Sequence, residues 1–495
     1  MKKAMKKFMA TLLAVAMVCA MAIPAWADSA SGAAGTSTTY TITISNPVGT
    51  YEAYQIFSGD LHGNVLSNIA WGTGVTTAGQ TALGSAKDKA ATLTNETDAK
   101  NFAAEVSSYL AAPSGSYATG QITGLAAGYY LVKNSSVGTG ETYTSFILEV
   151  VKDVTVSPKG DKPTLEKKVK DANDTDGTIS NWQDSADHDI GDAVPFKLTA
   201  KIASNFDDYS TYKFVFHDEQ SEGLTFNPDT VEVTVGGNKL TTGYTVDNNP
   251  DDGCTFHVVI ENLKGMTGAV AGAEVVVEYT STLNEKAKIG SEGNPNEAHL
   301  EYSNNPHETN STTTTPKDKV TVFTFKVVAN KTNGADNQPL KGAAFALYKK
   351  VSDSVWKLVS LNNAEGTEGN YTIVNSNKTT FEWVGLDDGE YMIKEIITPA
   401  GFNTIADQTF TVTATHDITS TNPQLTALSG NKTSGEITFT SDNTAGSLST
   451  TIINNAGTVL PGTGGIGTTI FYIVGGGLMV AAAILLVTKK RMENH

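Results

Sequence analysis

The fold is decided by a short stretch in the second half of the chain, which reads FTFKVVANK at residues 323–331. Apolar side chains fall at every second position of this stretch, on the same side as Lys331, whereas Lys326 lies on the opposite side. Alternation with a period of two is typical of a β-strand that buries one of its faces. The pattern therefore predicts a half-buried strand, with Lys331 rather than Lys326 directed toward a core.

Short runs of the same kind recur along the chain of 495 residues, separated by clusters of Gly, Asn and Asp. Clear examples are YTITI at 40–44, FVF at 214–216, VEVTV at 231–235, EVVVE at 274–278 and FTV at 410–412. Helical patterns are few, and the strongest covers residues 98–110. Many short strands with turn residues between them predict an all-β protein made of tandem immunoglobulin-like β-sandwich domains in an elongated row.

Two polar joints that contain proline divide the chain, one at residues 157–163 and one at 311–319. Together with the two ends, they predict five parts: a signal peptide at 1–27, domains at 28–159, 160–318 and 319–456, and a sorting segment at 457–495.

The N-terminus reads as a secretory signal peptide. A cluster of lysines at residues 2–7 precedes an uncharged apolar stretch at 8–23, which ends in the small-residue pattern AWA at 25–27. This order is typical of an export signal. We therefore expect cleavage between Ala27 and Asp28, so that the mature chain is extracellular.

The C-terminus carries a five-residue pattern: Leu460, Pro461, Gly462, Thr463 and Gly464. An apolar run at 466–488 follows it, long enough to span a bilayer, and basic residues at 489–491 complete the tail. The order of pattern, span and basic tip resembles the LPxTG cell-wall sorting signal that sortases read. The resemblance implies that a sortase cleaves after Thr463 and passes its acyl group to an amine.

Composition excludes several classes of function. The formal net charge of −17 argues against nucleic acid as a partner, because nucleic-acid binders carry basic patches. Of the two cysteines, Cys19 leaves with the signal peptide and Cys254 has no intrachain partner. The eight histidines show no metal-ligand spacing, so we predict no metal and no cofactor. Neither a nucleophile elbow nor an HExxH motif is present, and we expect no enzyme site.

The C-terminal module resembles Cna protein B-type domains. The similarity rests on PLKGAAFALY at 339–348, GLDDGEYMIKE at 385–395 and TPAGF at 398–402. In that family a first-strand Lys forms an amide bond with a last-strand Asn, assisted by an acid. The resemblance implies Lys331 as the amine and Glu395 as the acid. Asn454 is the favoured acceptor, and Asn455 is the alternative.

The middle module contains the same residue types. Its first strand, PTLEKKV at 163–169, places Lys167 on the apolar face. GNPNEAHLEYSNNP at 293–306 resembles the closing strand of the middle domain of backbone pilins. The resemblance implies an amide bond from Lys167 to Asn296, with Asn304 as the alternative acceptor. The assisting acid is Asp218, which shares the face of FVF at 214–216, or else the neighbouring Glu219.

The joint after the first module carries VTVSPK at 154–159, similar to the V-x-V-Y-P-K motif of backbone pilins, with Ser157 where Tyr is usual. The resemblance implies that Lys159 is the amine that accepts Thr463 of another subunit. It thereby implies a pilus backbone polymerised by a sortase, fixed to peptidoglycan and supporting adhesion. The expected partners are pilin-specific and housekeeping sortases, further copies of this chain, minor or tip pilins, peptidoglycan and host surface ligands. A monomeric wall-anchored adhesin or minor pilin is the alternative.

Overall fold

The computed structural model describes four stretches of the chain, residues 38–158, 160–352, 354–458 and 466–492. The predictions for Ala27, Asp28, Lys159 and residues 460–464 lie outside the described residues. Within them, the prediction of an all-β fold of tandem sandwiches is confirmed, because strands arranged in packed sheets dominate each of three consecutive modules.

The N-terminal module packs two four-stranded sheets, β4-β5-β1-β8 and β3-β2-β6-β7, around a core that both sheets supply. Three helices cover the outer face of the second sheet. The predicted helix is present as α3, whereas α1 and α2 were not expected. The elements are β1 (Tyr40–Ile44), β2 (Thr50–His62), β3 (Val65–Trp71), α1 (Thr77–Leu83), α2 (Ala86–Thr92), α3 (Glu96–Ser107), β4 (Ser116–Ala118), β5 (Gln121–Leu125), β6 (Gly128–Ser136), β7 (Ser145–Val150) and β8 (Val154–Val156).

The middle module is a larger sandwich. Its elements are β9 (Thr164–Val169), β10 (Ala172–Asn173), β11 (Thr178–Ile179), β12 (Ser185–Asp187), β13 (Ala193–Lys201), a short 3-10 helix (Phe206–Asp208), β14 (Phe214–Gln220), β15 (Leu224–Val235), β16 (Asn238–Lys239), β17 (Thr245–Asp247), β18 (Phe256–Ile260), β19 (Glu274–Leu283), β20 (Asn294–Ser303), β21 (Thr312–Thr314) and β22 (Asp318–Phe323). One sheet has the order β16-β15-β19-β13-β9 and the other β12-β22-β20-β14-β18-β17. Alternating residues of both sheets form one continuous apolar core.

The middle module extends further than the sequence predicted. Strand β22 pairs antiparallel with β20, where Asn296 lies opposite Val320, and it pairs parallel with β12. The boundary predicted after residue 318 therefore falls inside β22. The polar joint misled the interpretation because its Thr-rich part forms β21, a short strand against β20, rather than a linker.

The C-terminal module contains β23 (Phe325–Asn333), β24 (Ala344–Ser352), β25 (Val355–Asn362), β26 (Ala364–Thr367), β27 (Asn370–Ile373), β28 (Thr380–Leu386), β29 (Gly389–Ile397), β30 (Gln408–His416), β31 (Leu425–Ser434), β32 (Thr440–Asp442) and β33 (Ser447–Asn454). The sheet β28-β23-β33-β32 packs against β25-β24-β29-β30-β31. The stretch FTFKVVANK forms most of β23, and its alternate positions are buried in the core as predicted. Strands β23 and β33 are parallel neighbours, so the first and last strands lie side by side.

Polar contacts join successive modules. Between the first two, the Tyr302 hydroxyl donates to the Gly140 carbonyl at 2.9 Å, and Asn304 Nδ2 donates to the Glu141 carbonyl at 3.2 Å. Between the last two, the Ser185 hydroxyl contacts His416 Nδ1 at 2.7 Å. These contacts place the ends of neighbouring sandwiches directly against each other.

The described chain ends in helix α4 (Ile466–Met492). Its segment Ile470–Lys490 has a mean hydropathy of 2.5 and is the one helix in the described residues long and apolar enough to cross a membrane. This agrees with the span predicted after the sorting pattern.

Candidate crosslinking sites

The middle module buries a lysine, a carboxyl group and an asparagine around one tyrosine hydroxyl. Lys167 lies on β9 and Tyr279 on β19 of one sheet, whereas Asp218 on β14 and Asn296 on β20 belong to the facing sheet. Lys167, Asp218 and Asn296 are each 0% exposed. The alternation of apolar residues in each strand forces these polar groups inward, so the site spans the gap between the two sheets.

Hydrogen bonds link the four side chains. Lys167 Nζ donates to Asp218 Oδ2 at 2.5 Å and to the Tyr279 hydroxyl at 2.8 Å. The Tyr279 hydroxyl donates to the same Asp218 oxygen at 2.7 Å and accepts from Asn296 Nδ2 at 3.0 Å. The amine and the amide therefore meet at the hydroxyl oxygen of Tyr279, which also donates to the carboxyl group of Asp218.

Burial shifts the protonation of Lys167 toward the neutral amine. Burial lowers the pKa of Lys167 from its ordinary value, and the neighbouring carboxylate of Asp218 only partly opposes this effect. Burial, reinforced by the charge of Asp218, raises the pKa of Tyr279 well above its usual range, so the phenol keeps its proton. The pocket thus holds a lysine that gives up its proton more readily than a solvated one.

The C-terminal module repeats the arrangement with different strands. Lys331 lies on β23, Asn454 on the adjacent β33 and Glu395 on β29 of the facing sheet. Lys331 is 1% exposed and Asn454 0%. Lys331 Nζ donates to the Ile452 carbonyl at 3.1 Å, which lies on the same strand as Asn454. Burial lowers the pKa of Lys331 to about 8, although the charge of Glu395 opposes the shift.

Glu395 holds the acceptor amide directly. Asn454 Nδ2 lies 3.0 Å from each carboxylate oxygen of Glu395 and donates to the Asn403 carbonyl at 2.9 Å. The backbone N–H of Ile405 and the hydroxyl of Thr398 also donate to Glu395 Oε2, at 3.1 and 3.3 Å. These contacts fix the carboxyl group and the amide against each other.

Both asparagines share an unusual feature. Among the described residues, Asn296 Oδ1 and Asn454 Oδ1 are buried side-chain oxygens without a hydrogen-bond partner. Leaving a buried acceptor unsatisfied costs about 1–3 kcal/mol. A carboxylic acid that donated its proton to this oxygen would remove the cost and polarise the amide carbonyl at the same time.

The alternatives left open by the sequence lie elsewhere. Asn455 is exposed. Asn304 is buried, but it accepts from the Ser311 hydroxyl at 2.8 Å and contacts the N-terminal module rather than Lys167. Glu219 lies on the outer face of β14, where it pairs with Lys317 at 2.6 Å. The geometry therefore favours Asn454, Asn296 and Asp218 as the reacting groups.

Sequence reasoning missed Tyr279. The signal was present, because EVVVE at 274–278 continues its buried alternation at position 279. A hydroxyl at the end of an apolar face needs a polar partner when it is buried. That requirement would have directed attention to Asp218 and Lys167.

A third buried lysine has a different character. Lys349 Nζ contacts Asp387 at 2.5 Å in its own module, and Asp189 at 2.6 Å and Asp174 at 3.2 Å in the middle module. Burial lowers the pKa of Lys349, but the charges of Asp387 and Asp189 outweigh it and raise that pKa overall. Lys349 therefore remains an ammonium ion that joins two modules electrostatically, and the sequence analysis did not single it out.

Three known families match parts of the chain. A Gram-positive pilin backbone subunit 2, Cna-B-like domain matches residues 190–306. A prealbumin-like fold domain matches residues 325–424, and an LPXTG cell wall anchor motif matches residues 452–494. The two domain matches fall on the two modules that bury a lysine, a carboxyl group and an asparagine.

The chain is also similar to proteins with known names. The chain is 27% identical over 273 residues to the trypsin-resistant surface T6 protein of Streptococcus pyogenes serotype M6, a match covering 52% of this chain. It spans 46% of that relative, about half its length. The solved T6 backbone pilin of the same serotype superimposes with a TM-score of 0.53 at 19% identity, over 85% of this chain and 98% of that one. The full-length major pilin SpaD of Corynebacterium diphtheriae gives a TM-score of 0.48 at 18% identity, with coverage of 85% and 98%.

Proposed function

Because this chain carries a Gram-positive pilin backbone domain and an LPXTG cell wall anchor motif, as its sequence indicated, we propose that it is the structural backbone subunit of a covalent surface pilus. The observation that carries the proposal is the pair of buried lysine, carboxyl and asparagine groups, one in each of two successive modules. An amide bond formed by each set would crosslink its domain against pulling forces, which a fibre outside the cell has to withstand. The chain is then a substrate of sortases and not itself an enzyme.

In the middle module, the proposed reaction begins with proton transfer. Lys167 passes a proton to Asp218, which leaves a neutral amine and a carboxylic acid. The acid donates its O–H to Asn296 Oδ1, which a half-turn of the amide group makes available. The amine then attacks Cγ of Asn296, the new C–N bond forms, and the amide nitrogen leaves as ammonia after it receives the second amine proton through Asp218. Packing supplies the proximity that the slow reaction of an amide requires.

In the C-terminal module, Glu395 takes the same role between Lys331 and Asn454. Its carboxyl group already contacts the amide, and the amine lies against the acceptor strand. The bond from Lys331 to Asn454 would join the first strand to the last. Each reaction consumes one amine and one primary amide and releases one ammonia molecule.

Polymerisation requires an accessible amine between modules. Lys159 follows β8, and its described neighbours Ser157 and Gly160 are exposed. The chain just beyond is held by Asp161, whose side chain accepts from the Ser204 backbone N–H at 2.7 Å. The described residues Ser157 and Gly160 thus form an exposed joint, a setting that suits attack by the Lys159 amine on a sortase that carries Thr463 of another subunit. The last subunit would be transferred to peptidoglycan instead, and the fibre would support adhesion.

The name of the Streptococcus pyogenes relative gives independent support. Internal crosslinks would make this chain a trypsin-resistant surface protein as well. They hold the strands together when the fold opens locally, so a protease gains less access to the backbone. The monomeric adhesin remains the second candidate, and only the assembly state separates the two.

Replacing Thr463 by Ala tests the proposed processing. In cells with the matching sortases, we expect the wild-type chain to form a high-mass ladder resistant to boiling in detergent. Thr463→Ala should lose both the ladder and the attachment to the wall, because no acyl-enzyme can form. The control is Thr458→Ala in the exposed segment just before the pattern. Processing that survives in Thr463→Ala would contradict the proposal, and wall-attached wild type without a ladder would favour the adhesin.

A further inference from the structure

The outer face of the middle module carries a row of histidines that the proposed pilus function does not use. His217 on β14 lies directly opposite His257 on β18 and directly opposite His299 on β20. The His217 ring stacks on His299 at 4.5 Å and lies 4.0 Å from the His257 ring. Three imidazoles thus meet on the side of the sheet that faces away from Asp218 and the core.

The loop between β17 and β18 adds a carboxylate and a thiol to this row. Asp252 Oδ2 lies 3.0 Å from His217 Nδ1 and 3.1 Å from His257 Nε2. Cys254 Sγ lies 3.9 Å from His217 Nδ1. The backbone N–H of Cys254 donates to Asp252 Oδ1 at 3.1 Å, which holds the two loop residues in a fixed relation.

From this arrangement we propose that His217, Asp252, Cys254 and His257 form a binding site for one zinc ion. Their ligand atoms all lie within 4.8 Å of one another. Zinc takes nitrogen at about 2.0–2.1 Å and sulfur at about 2.3 Å in a tetrahedron, which separates neighbouring ligand atoms by about 3.3–3.6 Å. The separations of 3.0, 3.1 and 3.9 Å given above lie on both sides of that range. Small side-chain rotations would therefore complete the tetrahedron.

A second contact prepares His217 for this role. Glu301 Oε2 lies 3.3 Å from His217 Nε2, on the side of the ring opposite the proposed site. A carboxylate there favours the tautomer that carries its proton on Nε2 and leaves the Nδ1 lone pair for the metal. His217 is only 8% exposed, so neighbouring groups fix its ring orientation.

The residue types select the metal. A thiolate with two imidazoles and one carboxylate suits zinc better than calcium or magnesium, which prefer oxygen ligands. Zinc binds cysteine as the thiolate, so the metal takes the place of the proton on the Cys254 sulfur. Binding then forms the zinc–sulfur bond and releases that proton to the solvent.

Sequence analysis missed this group because its members come from two strands and a loop. The local pattern Asp252-x-Cys254-x-x-His257 offers three ligands, but the fourth, His217, precedes them by a long stretch of chain. Only the pairing of β14 with β18 brings it alongside. The two other clusters of possible ligands in the described residues lie between modules, where Lys349 and His416 already pair with their carboxylates.

Cobalt and zinc binding to the whole chain tests the proposal. The chain is purified in detergent from cells that lack sortase, without a histidine tag. We expect one Co²⁺ per chain, with the intense near-ultraviolet band of a cobalt–thiolate bond and the visible bands of a tetrahedral ion, both lost when Zn²⁺ is added. Calorimetry in buffers of different ionisation enthalpy should show proton release on Zn²⁺ binding.

Variants assign the ligands. Cys254→Ser should abolish the thiolate band, and Cys254→Ser or His257→Ala should weaken Zn²⁺ binding more than about 100-fold, whereas Glu301→Gln should weaken it about 10–100-fold. His62→Ala, at an exposed histidine of the N-terminal module, is the matched control and should bind like wild type. Circular dichroism verifies that each variant folds. Absence of the thiolate band in wild type, or Zn²⁺ binding unchanged in folded Cys254→Ser and His257→Ala, would overturn the proposal.

Discussion

Replacing Asp218 by Asn and Glu395 by Gln is expected to leave both modules folded but without their covalent bonds. Each substitution keeps the shape of the side chain and removes the group that takes the proton from the lysine. A bond from residue 167 to residue 296, or from 331 to 454, closes a loop of more than about 100 residues. Its absence should lower the free energy of unfolding by roughly 4–5 kcal/mol per module on the chain-entropy estimate.

Loss of the amide bond should be detectable by thermal unfolding, by trypsin digestion and by mechanical pulling. The affected module of Glu395→Gln is expected to melt roughly 10–20 °C below that of the wild type. It should be cut by trypsin and extend when the chain is pulled, and reductant should change nothing in either protein. Glu219→Gln and Glu382→Gln are the controls, because both side chains are exposed on strands of the same modules. A Glu395→Gln chain as resistant and inextensible as wild type would show that no crosslink carries the load.

The structure determines which residues the amide bonds can protect from a pulling force. In the C-terminal module, β23 and β33 are neighbours, so nearly all of the module lies inside the loop from Lys331 to Asn454. In the middle module, β20 is followed by β21 and β22, and the residues after Asn296 remain in series with an applied force. We therefore expect a small extension of wild type at the middle module, from the peeling of β22 off β20, and none from the C-terminal module.

Replacing Lys159 by Ala is expected to abolish the high-mass ladder completely while leaving the chain on the wall. In the proposed assembly, polymerisation uses the Lys159 amine as acceptor, whereas attachment to peptidoglycan uses only the Thr463 end. An exposed joint contributes little to a core, so the variant should fold and melt like wild type. Immunoblots of detergent-boiled wall extracts measure the outcome as a single wall-linked band in place of the ladder.

Two neighbouring lysines make this test specific. Lys152 is exposed at the end of the N-terminal module, and Lys162 pairs with Glu141 at 2.8 Å just beyond the joint. Lys152→Ala and Lys162→Ala should both keep the ladder. An unchanged ladder in Lys159→Ala would contradict the assignment of the acceptor, and its loss in Lys162→Ala instead would move the acceptor across the joint.

The sequence was most informative where burial follows from alternation. The period of two in FTFKVVANK and PTLEKKV distinguished Lys331 from Lys326 and Lys167 from Lys168, and the structure buries the chosen lysines. Alternation could not place the module boundary near residue 318, because Thr-rich segments form either linkers or edge strands, and here β21 pairs with β20. It also could not foresee α1 and α2, which are short helices held mainly by packing against a sheet.

The sequence could not reveal the side-chain contacts at the sites that join strands distant in the chain. Tyr279 reaches Lys167 because β19 and β9 flank β13 in one sheet, and it reaches Asn296 because β20 lies in the facing sheet. Lys349 keeps its charge between Asp387 of its own module and Asp189 of the preceding module, and no local pattern reveals this grouping. The choice between Asn454 and Asn455 depended on which face of β33 meets Glu395.

The intact mass of the chain reports directly whether the two amide bonds form. Purified from cells that lack sortase, with the signal peptide removed after Ala27, wild type should be lighter than its formula by two ammonia molecules. Asp218→Asn and Glu395→Gln should each regain one of them, and the exposed-site controls should regain neither. Fragmentation should locate the bonds between Lys167 and Asn296 and between Lys331 and Asn454. A wild-type mass equal to the formula would show that neither module forms its amide bond.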